Sequence, residues 1–227
     1  GWRPRPGAAR RILALGVPAA IEQVLISAAF TALTLIVATL GTRELATQRI
    51  TFNALSVAFL PGFGFALAAS TLVGQSLGAR KPDEAAAAAR ASAGWVTLWM
   101  GLMGLLYFLF ARPIMGLFSG DPAVIDLGAR SLRALAFAQP LWGLLFVWSG
   151  ALRGAGNTRY PLVVNSLGIW AVVALSALAV ARFDADLAVL WAFFIPSAAL
   201  NALADWLRFR RGDWRAFRAD LGAAGAE

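Results

Sequence analysis

The sequence contains neither cysteine nor histidine, and it is poor in charge. Among its 227 residues, 20 are Lys or Arg and 12 are Asp or Glu, so only 14% are charged. Without these two residue types there is no disulfide, no Cys or His metal site, no haem ligation and no histidine acid–base catalysis. The G-x-x-x-x-G-K-[ST] pattern of an ATP-binding loop is also missing. We therefore expect no enzyme activity, no cofactor and no bound metal.

The abundant residues are apolar. Hydrophobic types make up 59% of the chain and the mean hydropathy is +0.69, whereas a soluble domain is nearer half apolar and a quarter charged. About 20 apolar residues in helix suffice to span a bilayer. The long runs predict an all-α integral membrane protein with six spanning helices. These spans are expected near residues 12–40, 44–77, 83–110, 123–153, 158–181 and 187–208.

Polar and flexible positions divide the chain further. We expect a basic cytoplasmic linker over 1–11, a six-helix transmembrane lobe over 12–210 and a cytoplasmic tail over 211–227. In the second span, Pro61 predicts a kink, because proline removes a helical hydrogen bond. Pro61, Gly62 and Gly64 are therefore hinge candidates. Glycines in a span also permit close helix packing, so that alternative stays open.

The net charge of +8 reflects membrane topology rather than nucleic-acid binding. Most of the 20 basic residues fall in loops and tails on the side of the N-terminus, including Arg80, Lys81, Arg153 and Arg159. Cytoplasmic loops carry the excess of Lys and Arg. We therefore expect a multi-pass protein of the cell membrane, surrounded by lipid, with both termini cytoplasmic and no nucleic-acid partner.

A connector at 149–161, SGALRGAGNTRYP, has the composition of a tight turn between two helices. Arg153 suits the negative end of the helix dipole, and Gly154 and Gly156 can take the left-handed conformation that ends a helix. Asn157 is a suitable N-cap for the next helix. We interpret the connector as a plain cytoplasmic turn that needs no chemistry of its own.

Glu22 is the strongest single candidate for function. It is the only acid well inside a predicted span, because Asp205 sits nearer a helix end. Acids inside a membrane are costly and usually face a cavity or take part in function. Glu22 is therefore the candidate coupling group, able to bind a proton, a sodium ion or a cationic substrate. The alternative is that Glu22 lies near the inner interface and pairs with Arg10 or Arg11.

Further polar side chains recur at helical spacing. Gln23, Ser27, Thr31 and Thr34 form a stripe on the first helix, which faces either a cavity or another helix. A second group surrounds Arg49, and a third lies on the fourth span, where a tryptophan can stack on drugs or anchor at the interface. The candidates for lining a substrate cavity are Gln23, Ser27, Thr31, Gln48, Asn53, Gln139 and Trp142.

Four stretches together resemble the multidrug and toxic compound extrusion (MATE) family of secondary transporters. They are GVPAAIEQ at 16–23, PGFGFALAASTLVGQSLGA at 61–79, GALRGAGNTR at 150–159 and WLRFRRGDW at 206–214. The family has twelve helices in two related lobes. The Glu-Gln pair, the Pro-Gly-Phe-Gly run and the basic tail match the second lobe better, so the resemblance implies a C-terminal six-helix lobe. The first residue is Gly rather than Met, which predicts a processed chain or a piece of a longer one.

The resemblance implies a function for this lobe. We expect cation-coupled antiport that exports drugs or amphipathic organic metabolites by alternating access, with the N-terminal lobe or a second copy closing the cavity. Family members place an acid near Glu22, and some carry one near Trp142 that helps bind the coupling ion. That second acid is absent here, which favours protons over sodium. The alternatives are a lipid-linked oligosaccharide flippase of the wider superfamily and a non-transporting truncated fragment.

The absence of cysteine makes the expected orientation simple to test. With single cysteines introduced as Arg80→Cys and Arg43→Cys, a membrane-impermeant thiol reagent added to intact cells should label position 43 and spare position 80. The reason is that residue 43 follows the first span and residue 80 follows the second. Labelling at position 80 with protection at position 43 would reverse the topology.

Overall fold

The computed structural model describes the backbone of residues 6–215 and the side chains of residues 13–214. Within that part of the chain all regular structure is helical. The helices are α1 (Pro6–Leu40), α2 (Thr42–Gly78), α3 (Pro82–Leu109), α4 (Ala111–Gly116), α5 (Pro122–Gly154), α6 (Arg159–Phe183), α7 (Leu187–Ala192) and α8 (Phe194–Arg211), followed by a 3-10 turn at Asp213–Arg215.

Six segments of this part of the chain are long and apolar enough to cross a membrane, which confirms the expected all-α fold with six spans. The sixth, Leu187–Arg211, comprises α7 and α8, which meet at Phe193. Two features differ from the sequence expectation. The connector after α3 contains the short helix α4, and α1 begins at Pro6, inside the expected linker.

Local chemistry explains where α3, α5 and α7 start. Proline occupies the first turn of α3 and α5, where its missing N–H costs little. The Asp121 side chain accepts from the Ala123 N–H at 2.9 Å, and Asp186 accepts from the Val189 N–H at 3.1 Å. These N-caps satisfy amides that have no partner within their helices. Polar side chains thus mark the starts of α5 and α7, whose interiors are apolar.

The α5 helix is the centre of the bundle. In the most apolar 18-residue stretch of this helix, 67% of the residues are buried by the rest of the chain, compared with 17% in the corresponding stretch of α1. It packs against α2, α3, α4, α7 and α8, whereas α1 packs mainly against α6. Because α5 is surrounded, its inward side chains can be reached from several other helices at once.

Glycines bring α2 and α5 unusually close together. A Cβ at Gly150 would collide with the carbonyl oxygen of Ala66, and one at Gly154 would collide with that of Ser70. Gly154 is the last residue of α5 and is not left-handed, so its predicted role as a helix stop was wrong; it is small because α2 passes beside it. Gly156 takes the left-handed conformation, with φ of 89°.

The hinge candidates lie in a continuous helix. The α2 helix runs unbroken through Pro61. A Cβ at Gly62 would lie 3.0 Å from Met100 Cε, whereas nothing lies within 4 Å of one at Gly64. Gly62 therefore lies in a tight contact with a flexible side chain, and a hinge role for Pro61, Gly62 and Gly64 stays a prediction.

The close approach of α2 and α5 generates a stability prediction. Gly150→Ala should lower the melting temperature of the purified protein in detergent, since overpacking a tight contact costs about 1–3 kcal/mol. This loss exceeds the gain of up to about 1 kcal/mol that alanine brings to a helix interior. Gly94→Ala is the matched control, because its Cβ meets nothing within 4 Å. An unchanged melting temperature for Gly150→Ala would contradict the packing.

Candidate functional site: a cavity with an acidic, hydrogen-bonded end

A cavity of about 570 Å³ lies between α1, α2, α5, α6, α7 and α8. Its wall is largely aromatic. The Phe63 and Phe146 rings stack with centroids 4.6 Å apart, Phe59 meets Trp142 edge to face at 5.1 Å, and Trp142 meets Phe194 at 5.7 Å. Such rings present large, rigid apolar faces. This part of the cavity is suited to flat apolar molecules of varied shape.

Glu22 lies at the polar end of the same cavity. Its residue surface is only 2% exposed, and its Oε1 lies 2.6 Å from Arg153 Nη2. Asn165 donates from Nδ2 to the same oxygen at 2.9 Å. The three residues come from α1, α5 and α6, respectively. A carboxylate that accepts from both a guanidinium and an amide is well stabilised in its ionised form.

The hydrogen-bonded chain continues to a second acid. Asn165 Nδ2 also donates to Ser149 Oγ at 3.1 Å, and the Ser149 hydroxyl donates to Asp205 Oδ2. Asp205 is 0% exposed, and its Oδ1 has no hydrogen-bond partner among the described residues. We call Glu22, Arg153, Asn165, Ser149 and Asp205 the carboxylate network. It connects α1, α5, α6 and α8.

Two members of this network differ from the sequence interpretation. Arg153 was expected to serve a plain turn, but it reaches into the bundle to Glu22, so the connector does carry part of the site. Asp205 does sit nearer a helix end than Glu22, in the second half of α8, but its side chain is fully buried there, which the sequence interpretation did not anticipate. The side chains of Arg10 and Arg11, the alternative partners of Glu22, lie outside the described residues.

Spacing could have found both residues. Arg153 follows Ser149 by one helical turn on the same face of α5. Ser197, Asn201 and Asp205 recur every fourth residue on α8, and the first two line the cavity. A polar stripe of that kind on a membrane helix indicates an inward face.

The polar stripe on α1, which was expected to face either a cavity or another helix, lies only partly at the cavity. Gln23 and Ser27 line the cavity. Thr31 is not among its lining residues; its hydroxyl donates to the Ser27 carbonyl at 2.9 Å. Thr34 donates in the same way to the Phe30 carbonyl at 2.9 Å. The polar part of the cavity face of α1 therefore ends at Ser27, and Phe30 continues the lining as an aromatic side chain.

Of the four remaining candidates for lining the cavity, only one does so. Trp142 lines the cavity as part of its aromatic wall. Gln48 and Gln139 are buried away from it, and their side-chain amides have no hydrogen-bond partner within the described region. Asn53 is exposed and does not line the cavity.

Known proteins of one family are similar to this chain. The MatE family model matches residues 18–178. A probable multidrug resistance protein NorM of Thermotoga maritima is 28% identical over 214 residues, which cover 93% of this chain and 46% of that protein. The multidrug resistance protein NorM of Burkholderia vietnamiensis is 34% identical over 175 residues, covering 75% and 38%, respectively. The chain thus spans less than half the length of these curated relatives.

Solved structures agree on the fold. A crystal structure of MATE in the bent conformation superposes with a TM-score of 0.86 at 19% identity, covering 96% of this chain and 49% of that one. A MOP superfamily transporter from Pyrococcus furiosus gives the same four values. The Vibrio cholerae transporter VcmN in its bent form gives a TM-score of 0.82 at 17% identity, with 92% and 47% covered.

The six spanning helices match about half of each of these structures, so the chain has the fold of one six-helix lobe. The chain belongs to the MatE family, the multidrug and toxic compound extrusion transporters that its motifs resemble.

The ion pair in the carboxylate network generates a prediction of energetic coupling. Arg153→Gln should destabilise the protein strongly when Glu22 is present, because a buried carboxylate then loses its cation. In a Glu22→Gln background the same change should cost much less. Thermal unfolding of the four variants should yield a coupling of about 1–3 kcal/mol.

The matched control is the exposed pair Arg112–Asp126, whose side chains are 61% and 56% exposed. Its double-mutant cycle should give less than about 1 kcal/mol. Equal coupling for the two pairs would contradict a buried, energetically important Glu22–Arg153 contact.

Proposed function

We propose that this chain is one lobe of a cation-coupled antiporter that exports drugs or amphipathic organic metabolites, with Glu22 as the coupling group. The observation that carries the proposal is a buried carboxylate at the polar end of an aromatic-walled cavity. The curated NorM relatives are named as multidrug resistance proteins, which supports this substrate class. The absence of an acid beside Trp142 favours a proton as the coupling ion.

Glu22 can exchange one cation for another. In the structure its carboxylate is held by the Arg153 guanidinium. A proton bound to Glu22 would remove the negative charge that attracts Arg153, and a cationic substrate would compete with Arg153 for that same charge. Antiport requires mutually exclusive occupants of this kind, because each must leave before the other binds.

The aromatic wall supplies affinity without strict shape selection. Phe59, Phe63 and Phe146 offer rings at several angles around the cavity. Apolar and cation–π contacts with such rings tolerate many organic molecules. Gln23 and Ser27 add hydrogen-bonding groups at the edge of the cavity.

Transport by alternating access needs a second half. Secondary transporters commonly hold substrate between two related repeats that rock against each other. We propose that an N-terminal lobe, or a second copy of this chain, supplies the opposite wall. Pro61, Gly62 and Gly64 lie beside the aromatic wall of α2, where bending would change the cavity. Both termini would be cytoplasmic.

The cavity chemistry favours export of organic cations over flipping of a lipid-linked oligosaccharide. A pyrophosphate-carrying lipid calls for several Arg or Lys side chains. Among the described residues that line the cavity, Arg153 is the only basic one, and Glu22 already neutralises it. Arg49 is exposed and lies outside the lining.

The proposal is tested by Glu22→Gln in an assembly that is active in transport. Efflux of a fluorescent organic cation driven by an imposed pH gradient in proteoliposomes should fall to background, because the coupling carboxyl is gone. Glu84→Gln is the control, since Glu84 is exposed and pairs with Lys81 outside the cavity. Unchanged efflux in Glu22→Gln would remove Glu22 from the mechanism.

The need for a second lobe is tested with the wild-type chain alone. Proteoliposomes that contain it as a monomer should show no substrate-dependent proton flux. Robust flux from the monomer would overturn the two-lobe requirement. A full assembly that binds no substrate would instead support the non-transporting alternative.

A further inference from the structure

Asp205 is a fully buried carboxyl group that the exchange at Glu22 leaves without a role. It lies on α8, accepts a hydrogen bond from Ser149 through Oδ2, and has no hydrogen-bond partner for Oδ1 within residues 13–214. An ionised carboxylate left in this state is poorly stabilised, since buried charges are normally paired and hydrogen-bonded. The group therefore needs a further cation or a proton.

The charges around Asp205 are few and can be counted. Among residues 13–214, Arg153 on α5 and Glu22 on α1 are the charged groups that act on it. Ser149 on α5 and Asn165 on α6 link it to Glu22 through hydrogen bonds and carry no charge. The network thus contains two carboxyl groups and one guanidinium. With both carboxyls ionised it would hold one uncompensated negative charge inside the membrane, which is costly.

The hydrogen bonds decide which carboxyl is ionised. Glu22 Oε1 receives a charged N–H from Arg153 at 2.6 Å and an amide N–H from Asn165 at 2.9 Å. Asp205 receives a single hydroxyl, from a serine that already accepts from Asn165. Charged and multiple donors stabilise an ionised carboxylate far better than one hydroxyl does. The proton therefore belongs on Asp205.

We propose that Asp205 is a second proton-binding carboxyl of this lobe, and that it shares one proton with Glu22 under the control of Arg153. This proposal assigns the charge to Glu22, which faces Arg153, and the proton to Asp205. When Glu22 takes up a proton from water, Arg153 is released. It then becomes the cation that offsets an ionised Asp205, whose proton returns to water.

The physiological meaning of this proton sharing rests on the proposed antiport. Two carboxyls that share one cation keep the network neutral in both states, so neither state carries the cost of an unpaired buried charge. Ser149 and Asn165 are positioning residues here, because they hold the two acids at opposite ends of one hydrogen-bonded chain.

Infrared spectroscopy of the purified chain in lipid tests the proposal without any transport assay. At neutral pH the wild-type protein should show the C=O stretch of one protonated carboxyl per chain. Growth on aspartate labelled with carbon-13 at its side-chain carboxyl should shift that band, because it belongs to Asp205. A band that stays in place, or no band at all, would overturn the proposal.

Variants then test the sharing. The band should disappear in Asp205→Asn, and it should also disappear in Glu22→Gln, where Arg153 is free to offset an ionised Asp205. In Arg153→Gln it should approach twice the wild-type area, because both carboxyls then hold protons. The control Asp126→Asn should leave it unchanged. A full band in Glu22→Gln would show independent protonation and overturn the sharing.

Two further arms keep the outcome clear if Asp205→Asn does not fold. Ser149→Ala should shift the band without removing it, since it deletes the hydroxyl bonded to Asp205; an unmoved band would contradict the assignment.

Sodium chloride should have no more effect on the band than choline chloride, and loss of the band with sodium alone would assign the site to a metal cation instead. The band is independent of efflux, so failure of Glu22 in transport and failure of Asp205 as a proton site are separate results.

Discussion

Charge inside a membrane has to be compensated by the protein itself, and the contact between Glu22 and Arg153 shows how this chain does so. The acid lies on α1, which packs mainly against α6. The arginine lies in the last turn of the central helix α5. Their 2.6 Å contact therefore ties a peripheral helix to the centre of the bundle. Breaking it would leave an unpaired carboxylate in an apolar environment, with a large cost in free energy.

The position of Arg153 depends on packing that involves no charge. Gly150 and Gly154 let α2 lie against α5 with its carbonyl groups nearly touching the α5 backbone. Side chains on that face of α5 would force the helices apart. With glycines there, the neighbouring face of α5 carries Ser149 and Arg153 towards α1, α6 and α8. The polar network thus depends on small residues that have no chemistry of their own.

Aromatic and acidic parts of the cavity have complementary tasks in the proposed cycle. The rings around Phe59 and Trp142 bind by area and by weak cation–π attraction, which discriminates little among organic molecules. The carboxylate network discriminates by charge, because only one cation can occupy Glu22 at a time. In the proposed cycle, broad substrate range and obligatory exchange would therefore come from different surfaces of one cavity.

Much of this protein can be derived from the residues alone. Long apolar runs fix the number of spans, because a helix must satisfy its own backbone hydrogen bonds in lipid. The starts of α3, α5 and α7 follow from proline and Asp caps. The sequence also singles out Glu22, since an acid in an apolar run is rare. It does not show which cation faces that acid. Arg153 and Asp205 lie 131 and 183 positions away in the sequence, and each has an ordinary local explanation near a helix end. Only the tertiary packing of α5 and α8 brings them to Glu22, because distances between helices depend on side-chain volumes and crossing geometry, which no local pattern records.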